Sequence, residues 1–230
     1  KDFMGIDLES MRSKITKKTK VIFIANPGNP TGTVLSINKI EKFVKTISKK
    51  IIIVIDEAYY EYASYYGFKS SISLLNKYNN IIITRSFSKI HALAGVRVGY
   101  GLASKEIISN FNKIRQPFNV NYVAQTMAME SLSDEKYLKK SLELNNIGMQ
   151  FLKLEFKKLG ISYIDSYTNF MTVYLGNNAQ IIYEMLLSEG VILRPLDNYG
   201  LPGYLRVTIG TKDENAMFIK KLKKSLKRLK

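Results

Sequence analysis

At 230 residues, with 46% apolar and 11% aromatic content, the chain is long enough for one large domain or two smaller ones with a substantial core. It holds no cysteine and one histidine, His91, which excludes disulfides, cysteine-ligated metals and a His-rich metal centre, and no apolar run reaches the roughly 18 residues of a membrane span. The net charge of +16 comes from lysines spread through many segments (KITKKTK, KLEFKKLG, KKLKKSLKRLK), which reads as a solvated surface, so neither a nucleic-acid nor a membrane partner is expected.

No secretory leader pattern opens the chain, and a cytoplasmic location is expected. The opening, Lys1 followed by DFMGIDLESMRSKI, reads as the interior of a longer sequence, so a piece of a larger protein is expected. In chain order, buried strands are predicted at Val21–Ala25, Ile51–Asp56, Ile81–Thr84 and Val98–Ala103. Between them a helix is predicted from the N-cap Ser36 to about Ser48, and a shorter one over Ser71–Tyr78. Runs of β-branched residues separated by helices indicate an α/β fold, a mostly parallel sheet covered by helices. Three helices follow, at Lys105–Lys113, Tyr122–Ser131 and Glu135–Leu159. After Gly160 come strands at Ser162–Ile164 and Phe170–Leu175, a helix at Ala179–Glu189, and strands at Val191–Arg194 and Tyr204–Ile209. The chain closes on a basic helix whose stripe is Met217, Phe218, Leu222, Leu226 and Leu229. This second half reads as a smaller α+β domain, residues 135–230, after a larger α/β part, residues 1–134.

The chemistry gathers where strands end, which is where open α/β sheets bind ligands. The first strand runs into NPGNPTG (Asn26–Gly32), the second into DEAYYEY (Asp56–Tyr62), and the third into RSFSKIHALAGVRVGY (Arg85–Tyr100). Singly, each has an ordinary explanation: a proline-stiffened turn, a helix cap, a solvated lysine in a serine-rich loop. Together, an acid at a strand end, a tyrosine three residues on and a lysine after the next strand supply what a pyridine-ring cofactor needs. These are a carboxylate for the ring nitrogen, a donor for the ring oxygen and an amine for the aldehyde. Ser86, Ser88 and Arg97 suit its phosphate, the arginine through paired charge-assisted bonds. Gly95 and Gly99 are expected to let the backbone pass closely there.

On these segments, together with IRQPFNVNYVAQ, TNF and LRVTIGT in the same order, the chain resembles the class I and II aminotransferases, pyridoxal-phosphate enzymes of fold type I. Within that group it is most similar to the histidinol-phosphate aminotransferases. The resemblance implies pyridoxal 5'-phosphate as cofactor, with Lys89 its covalent anchor and, once freed, the acid/base of the 1,3-proton shift. It further implies Asp56 on the pyridinium nitrogen, Asn29 and Tyr59 on the ring 3′-oxygen, and Ser86, Ser88 and Arg97 on the phosphate. Arg206 looks like the arginine for the substrate's anionic group, Arg194 its helper, and Asn169 a residue that helps seat the substrate. No metal is implied.

The implied reaction transfers the amino group of L-histidinol phosphate to 2-oxoglutarate, giving imidazole-acetol phosphate and glutamate, in a homodimer acting on small molecules. Three other readings stay open: an aromatic amino-acid aminotransferase, a decarboxylase of a phosphorylated amino acid, and the cofactor-sensing domain of a transcription regulator. His91 is expected to pack near the site, where relatives carry an aromatic residue. Thr84, at the end of the third strand, has no assigned role. The family's N-terminal portion, with a substrate-gripping arm, a glycine-rich turn on the phosphate and a ring-stacking aromatic, is not located in these residues, so the isolated 230 residues are expected to bind cofactor poorly.

Overall fold

A computed structural model describes residues 4–229. The chain divides into two compact units, Lys1–Gly28 with Val34–Lys139, and Asn29–Thr33 with Lys140–Lys230. The division falls inside the long helix predicted from Glu135.

In the first unit, helix α1 (Leu8–Ser13) is capped by Asp7, whose carboxylate accepts the Ser10 N–H. Strand β1 (Val21–Ala25), helix α2 (Ile37–Thr46), strand β2 (Ile52–Asp56), the short helix α3 (Tyr60–Ser64), strand β3 (Ile81–Ser86) and strand β4 (Gly99–Ala103) follow, then helices α4 (Lys105–Ile114) and α5 (Tyr122–Ser133). The sheet order is β1-β2-β3-β4, with β1, β2 and β3 parallel and β4 antiparallel to β3. Residues 87–98 contain no α-helix to make a parallel crossover, so the chain returns beside β3 in the opposite sense.

One face of this sheet is an isoleucine layer. Ile22, Ile24, Ile53, Ile55, Ile81 and Ile83 pack with Ile40, Phe43 and Val44 of α2 and with Leu74. Burying such side chains contributes about 1.5–3 kcal/mol each, which is why the three parallel strands form the rigid frame of the unit. The opposite face carries Asp56 and Thr84, and at its β1 edge Phe23 is 70% exposed. The segment predicted as a helix at Ser71–Tyr78 is a 3-10 helix at Ser71–Asn76. Its buried residues, Ser71 and Leu74, stand three apart, the spacing of that tighter turn. Helix α3 was not predicted, because its aromatic sequence YEYAS carries no helical periodicity.

In the second unit, helix α6 (Glu135–Leu159) precedes β5 (Ser162–Ile164), β6 (Phe170–Tyr174), α7 (Ala179–Ser188), β7 (Arg194–Pro195), β8 (Tyr204–Thr208) and α8 (Lys212–Arg228). The sheet is antiparallel throughout, in the order β5-β6-β8-β7. Met171, Val173, Leu205 and Val207 face a core built with Met149, Leu152 and Phe156 of α6, Ile182 and Leu186 of α7, and Phe218, Ile219 and Leu222 of α8. Helix α8 begins with a capping box: the Thr211 hydroxyl accepts the Glu214 N–H and the Glu214 carboxylate accepts the Thr211 N–H. The strand predicted at Val191–Arg194 is instead Arg194–Pro195. Val191 and Leu193 are buried in the core as irregular chain, and Pro195 has no N–H with which to lengthen the ladder.

Among the described residues no helix is long and apolar enough to cross a membrane, and no group of three or more acidic or histidine side chains is placed to hold a metal ion.

Candidate functional site

The parallel pairing puts Asp56 and Thr84 side by side, with Ala25 and Gly101 completing the row across the sheet. Directly opposite residues share a face, so Asp56 and Thr84 project from the side away from the isoleucine layer. One oxygen of Asp56, Oδ1, accepts two hydrogen bonds, from the Ala58 N–H at 3.1 Å and the Thr84 hydroxyl at 3.1 Å. The backbone bond closes an Asx turn that leads into α3. Tyr59, at the N-cap of that helix, is 7% exposed. The Lys89 amine lies 5.2 Å from the centroid of the Tyr59 ring, within cation–π range. The first unit therefore brings together Asp56, Tyr59 and Lys89 from the ends of two neighbouring strands.

The loop carrying Lys89 is tied in several places. The Ser86 hydroxyl accepts the Ser88 N–H at 3.0 Å, the Lys89 carbonyl accepts the Ala92 N–H at 3.0 Å, and the Phe87 carbonyl accepts the Leu93 N–H at 2.9 Å. Ala92 and Arg97 both take positive φ, 56° and 58°, conformations that cost a non-glycine residue about 1 kcal/mol or more. The Arg97 guanidinium is exposed and donates to the Ala94 carbonyl at 2.9 Å; among the described residues it is not hydrogen-bonded to Ser86 or Ser88. The expectation for the two glycines divides. A Cβ on Gly99 would stand 2.8 Å from the Arg85 carbonyl, a close approach only glycine allows, whereas Gly95 faces open space, so no close passage explains it. His91 packs its ring against Phe87, 5.0 Å between centroids, and its Nδ1 is 2.7 Å from the Ser131 hydroxyl of α5. Burial holds its pKa below the usual value, partly offset by the bonding with Ser131.

Beside this cluster is an arrangement that sequence reasoning did not assign. Glu57 is 2% exposed and accepts four bonds: from Arg85 Nε at 3.2 Å, Arg85 Nη2 at 2.9 Å, the Ser70 hydroxyl at 2.7 Å and the Ser71 N–H at 2.6 Å. The Arg85 guanidinium also lies 4.1 Å from the Tyr60 ring centroid. Burial alone would lower the Arg85 pKa, but the hydrogen bonds and charge of Glu57, with a smaller contribution from Tyr100, carry it above its ordinary value. Since Glu57 follows Asp56 and Arg85 precedes Ser86, the pair ties the ends of β2 and β3 on the face opposite Asp56. The available signal was two charged residues at the ends of strands otherwise made of isoleucine. Asn26 was likewise passed over. It is 7% exposed, donates to the Leu35 carbonyl at 3.0 Å and accepts the Leu35 N–H at 2.7 Å, closing the neck of the loop between them.

In the second unit, the segment Asn29–Thr33 lies on the sheet face opposite the core. The Thr172 hydroxyl donates to the Pro30 carbonyl at 2.5 Å, and the Gly32 carbonyl accepts the Tyr167 N–H at 2.8 Å. Gly32 has φ +77°, and a Cβ there would fall 2.1 Å from the Ser166 hydroxyl oxygen, so glycine is required on both counts. Arg206 donates to Asn29 Oδ1 at 2.6 Å and lies 5.1 Å from the Phe170 ring centroid. A guanidinium only donates, so it fixes which end of the Asn29 amide is oxygen and turns the NH₂ away. Arg194 sits directly opposite Arg206 in the β7–β8 ladder. Like charges directly opposite are unfavourable in a bare sheet, an arrangement that suits an anion between them. Asn169 precedes β6 and its carbonyl accepts the Ile209 N–H at 2.8 Å, a backbone role that leaves its side chain without an assigned contact.

The family model for aminotransferase class I and II matches residues 1–222. Histidinol-phosphate aminotransferase 1 of Idiomarina loihiensis is 46% identical over 220 residues, 96% of this chain and 60% of that protein. The chain thus spans about three-fifths of the length of the curated relatives it matches. The crystal structure of the histidinol-phosphate aminotransferase from Clostridium acetobutylicum superposes with a TM-score of 0.91 at 29% identity, over 99% of this chain and 70% of that one. The Sinorhizobium meliloti histidinol-phosphate aminotransferase, solved in complex with pyridoxal-5'-phosphate, superposes with a TM-score of 0.86 at 27% identity, over 97% and 62%. The chain belongs to the class I and II aminotransferase family.

Proposed function

We propose that this chain supplies most of the pyridoxal-phosphate site of a histidinol-phosphate aminotransferase. The observation that carries the reading is the cluster of Asp56, with both of its hydrogen bonds on one oxygen, and Lys89 above the Tyr59 ring. The similarity to curated histidinol-phosphate aminotransferases supports the choice of reaction and of histidinol phosphate; 2-oxoglutarate and glutamate as the second pair are part of the proposal. The domain reading assigns residues 1–134 to the cofactor-binding large domain and 135–230 to the small one. A cytoplasmic homodimer is part of the same proposal.

The donor set fits the group. Among the described residues no protein group donates to Asp56 Oδ2, which suits a protonated ring nitrogen; Tyr59 in the first unit and, in the second, the Asn29 amide oriented by Arg206 are each of a kind that suits the ring oxygen. Ser86, Ser88 and Arg97 suit the phosphate. When bound, pyridoxal phosphate supplies an aldehyde for the amine and a ring that accepts electrons as a bond at the substrate carbon breaks. Lys89 would hold the cofactor covalently, and its amine, when free, would take the proton from the carbon bearing the substrate's amino group. Asp56 would hold a proton on the ring nitrogen. Arg206 and Arg194 orient the substrate's anionic group, for which planar guanidinium donors fit phosphate or carboxylate better than lysine.

The test uses the full-length protein. Histidinol phosphate with 2-oxoglutarate is expected to yield glutamate, and borohydride is expected to abolish the visible absorbance and leave a cofactor adduct on Lys89, absent in Lys89→Ala. Rapid turnover of tyrosine without turnover of histidinol phosphate, or release of carbon dioxide from a phosphorylated amino acid, would overturn the substrate assignment. An adduct that survives Lys89→Ala would overturn the site.

A further inference from the structure

Thr84, near the end of β3, carries a hydroxyl that the proposed site does not use. It faces Asp56 as its register partner in the β2–β3 ladder, and its hydroxyl donates to Asp56 Oδ1 at 3.1 Å. The second donor to that oxygen is the Ala58 N–H, also at 3.1 Å. Both bonds fall on Oδ1, and Oδ2 accepts from no described protein group. A carboxylate held at one end by two donors of fixed direction cannot rotate about its Cβ–Cγ bond without losing both. The backbone donor comes from the turn into α3 and the hydroxyl from the neighbouring strand, so the two constraints come from different elements.

The rest of the row is consistent with this use of the site. Its outer positions are Ala25 and Gly101, and Gly99 stands opposite Ser86. Apart from Asp56 and Thr84, this end of the sheet face therefore carries only small residues, a flat floor on which a planar ring can lie.

We infer that Thr84 is a positioning residue: its hydroxyl, with the Ala58 N–H, fixes the plane of the Asp56 carboxylate so that Oδ2 is presented to the cofactor's ring nitrogen. The inference rests on the proposed cofactor site. It separates the hydroxyl of Thr84 from the rest of its side chain, since valine has the same shape without the donor.

The experiment compares full-length wild type with Thr84→Val, Thr84→Ser, Asp56→Asn and the Thr84→Val/Asp56→Asn double variant. It measures the dissociation constant for pyridoxal phosphate by equilibrium dialysis, with thermal midpoints recorded in parallel. A hydrogen bond to a charged group sets the scale, so Thr84→Val is expected to weaken binding roughly tenfold, and Thr84→Ser to restore it to within about threefold of wild type. In the Asp56→Asn background, Thr84→Val is expected to add no further loss, because the group it positions is already gone. Loss of affinity in Asp56→Asn but not in Thr84→Val overturns the inference and leaves the site standing. Equal losses in Thr84→Ser and Thr84→Val, or full additivity in the double variant, also overturn it, since either outcome means the threonine acts by packing. Unchanged affinity in Asp56→Asn removes the proposed site and this inference with it. If Thr84→Val does not fold, Thr84→Ser carries the test: retained affinity supports the hydroxyl's role, and a tenfold loss refutes it.

Discussion

The buried pair of Glu57 and Arg85 gives the most quantitative test of how the site is held. Replacing Arg85 by methionine keeps a long side chain over the Tyr60 ring but removes two of the four donors to a carboxylate that is 2% exposed. The remaining donors, the Ser70 hydroxyl and the Ser71 N–H, are neutral, so the charge stays buried without a counter-ion. Breaking such a pair from one side costs about 3–5 kcal/mol; with Arg85 still 12% exposed in its side chain, the lower end, about 3 kcal/mol, is expected. Arg85→Lys keeps the charge but loses the fork that spans Nε and Nη2, and is expected to cost about 1 kcal/mol. Replacing both residues by methionine is expected to cost well under the sum of the single changes, because the uncompensated charge disappears with Glu57. Urea denaturation followed by circular dichroism measures wild type, Arg85→Met, Arg85→Lys, Glu57→Met and the double variant. A cost below about 1 kcal/mol for Arg85→Met, or strict additivity with Glu57→Met, would mean that the pair does not hold the strand ends.

Two further changes probe the second unit and the lysine loop. Gly32→Ala places a methyl group 2.1 Å from the Ser166 hydroxyl oxygen at φ +77°, and a loss of about 2 kcal/mol or more is expected from overpacking and backbone strain. Ser166→Gly in the same chain is expected to recover the steric part and leave about 1 kcal/mol from the φ angle, read from thermal midpoints; full recovery would show that the backbone is not strained. His91 has its pKa depressed below the usual 6.5 by burial, so just below that pH the unfolded chain binds more protons than the folded one. Stability is therefore expected to fall as pH drops below about 6.5, and to fall less steeply in His91→Gln; equal slopes in thermal midpoints against pH would refute a contribution from His91.

The isoleucine runs announced β1, β2 and β3 because strands covered on one face by a packed helix layer repeat the same side chain at each inward position. The Lys89 motif announced its chemistry because few contexts place a lysine, serines and an arginine directly after such a strand. What stayed illegible depends on which residues stand opposite one another, and register is not written in either strand alone. Thr84 reads as an ordinary β-branched residue until the pairing of Asp56 with Thr84 puts its hydroxyl on a carboxylate. Glu57 and Arg85 read as polar flanks until their alternation carries them to the face opposite Asp56, where they close on each other. The strand misplaced at Val191–Arg194 has the same origin: its apolar residues serve the core equally well as loop, and only the proline at 195 limits the ladder. Register also gives the site its order of dependence. Asp56 is set by Thr84 and Ala58, the strands bearing Asp56 and Thr84 are tied by Glu57 and Arg85, and Asn29 is turned by Arg206. Asp56 thus depends for its direction on Thr84, to which the motifs gave no role, and Thr84→Val is expected to weaken cofactor binding while leaving Asp56 in place.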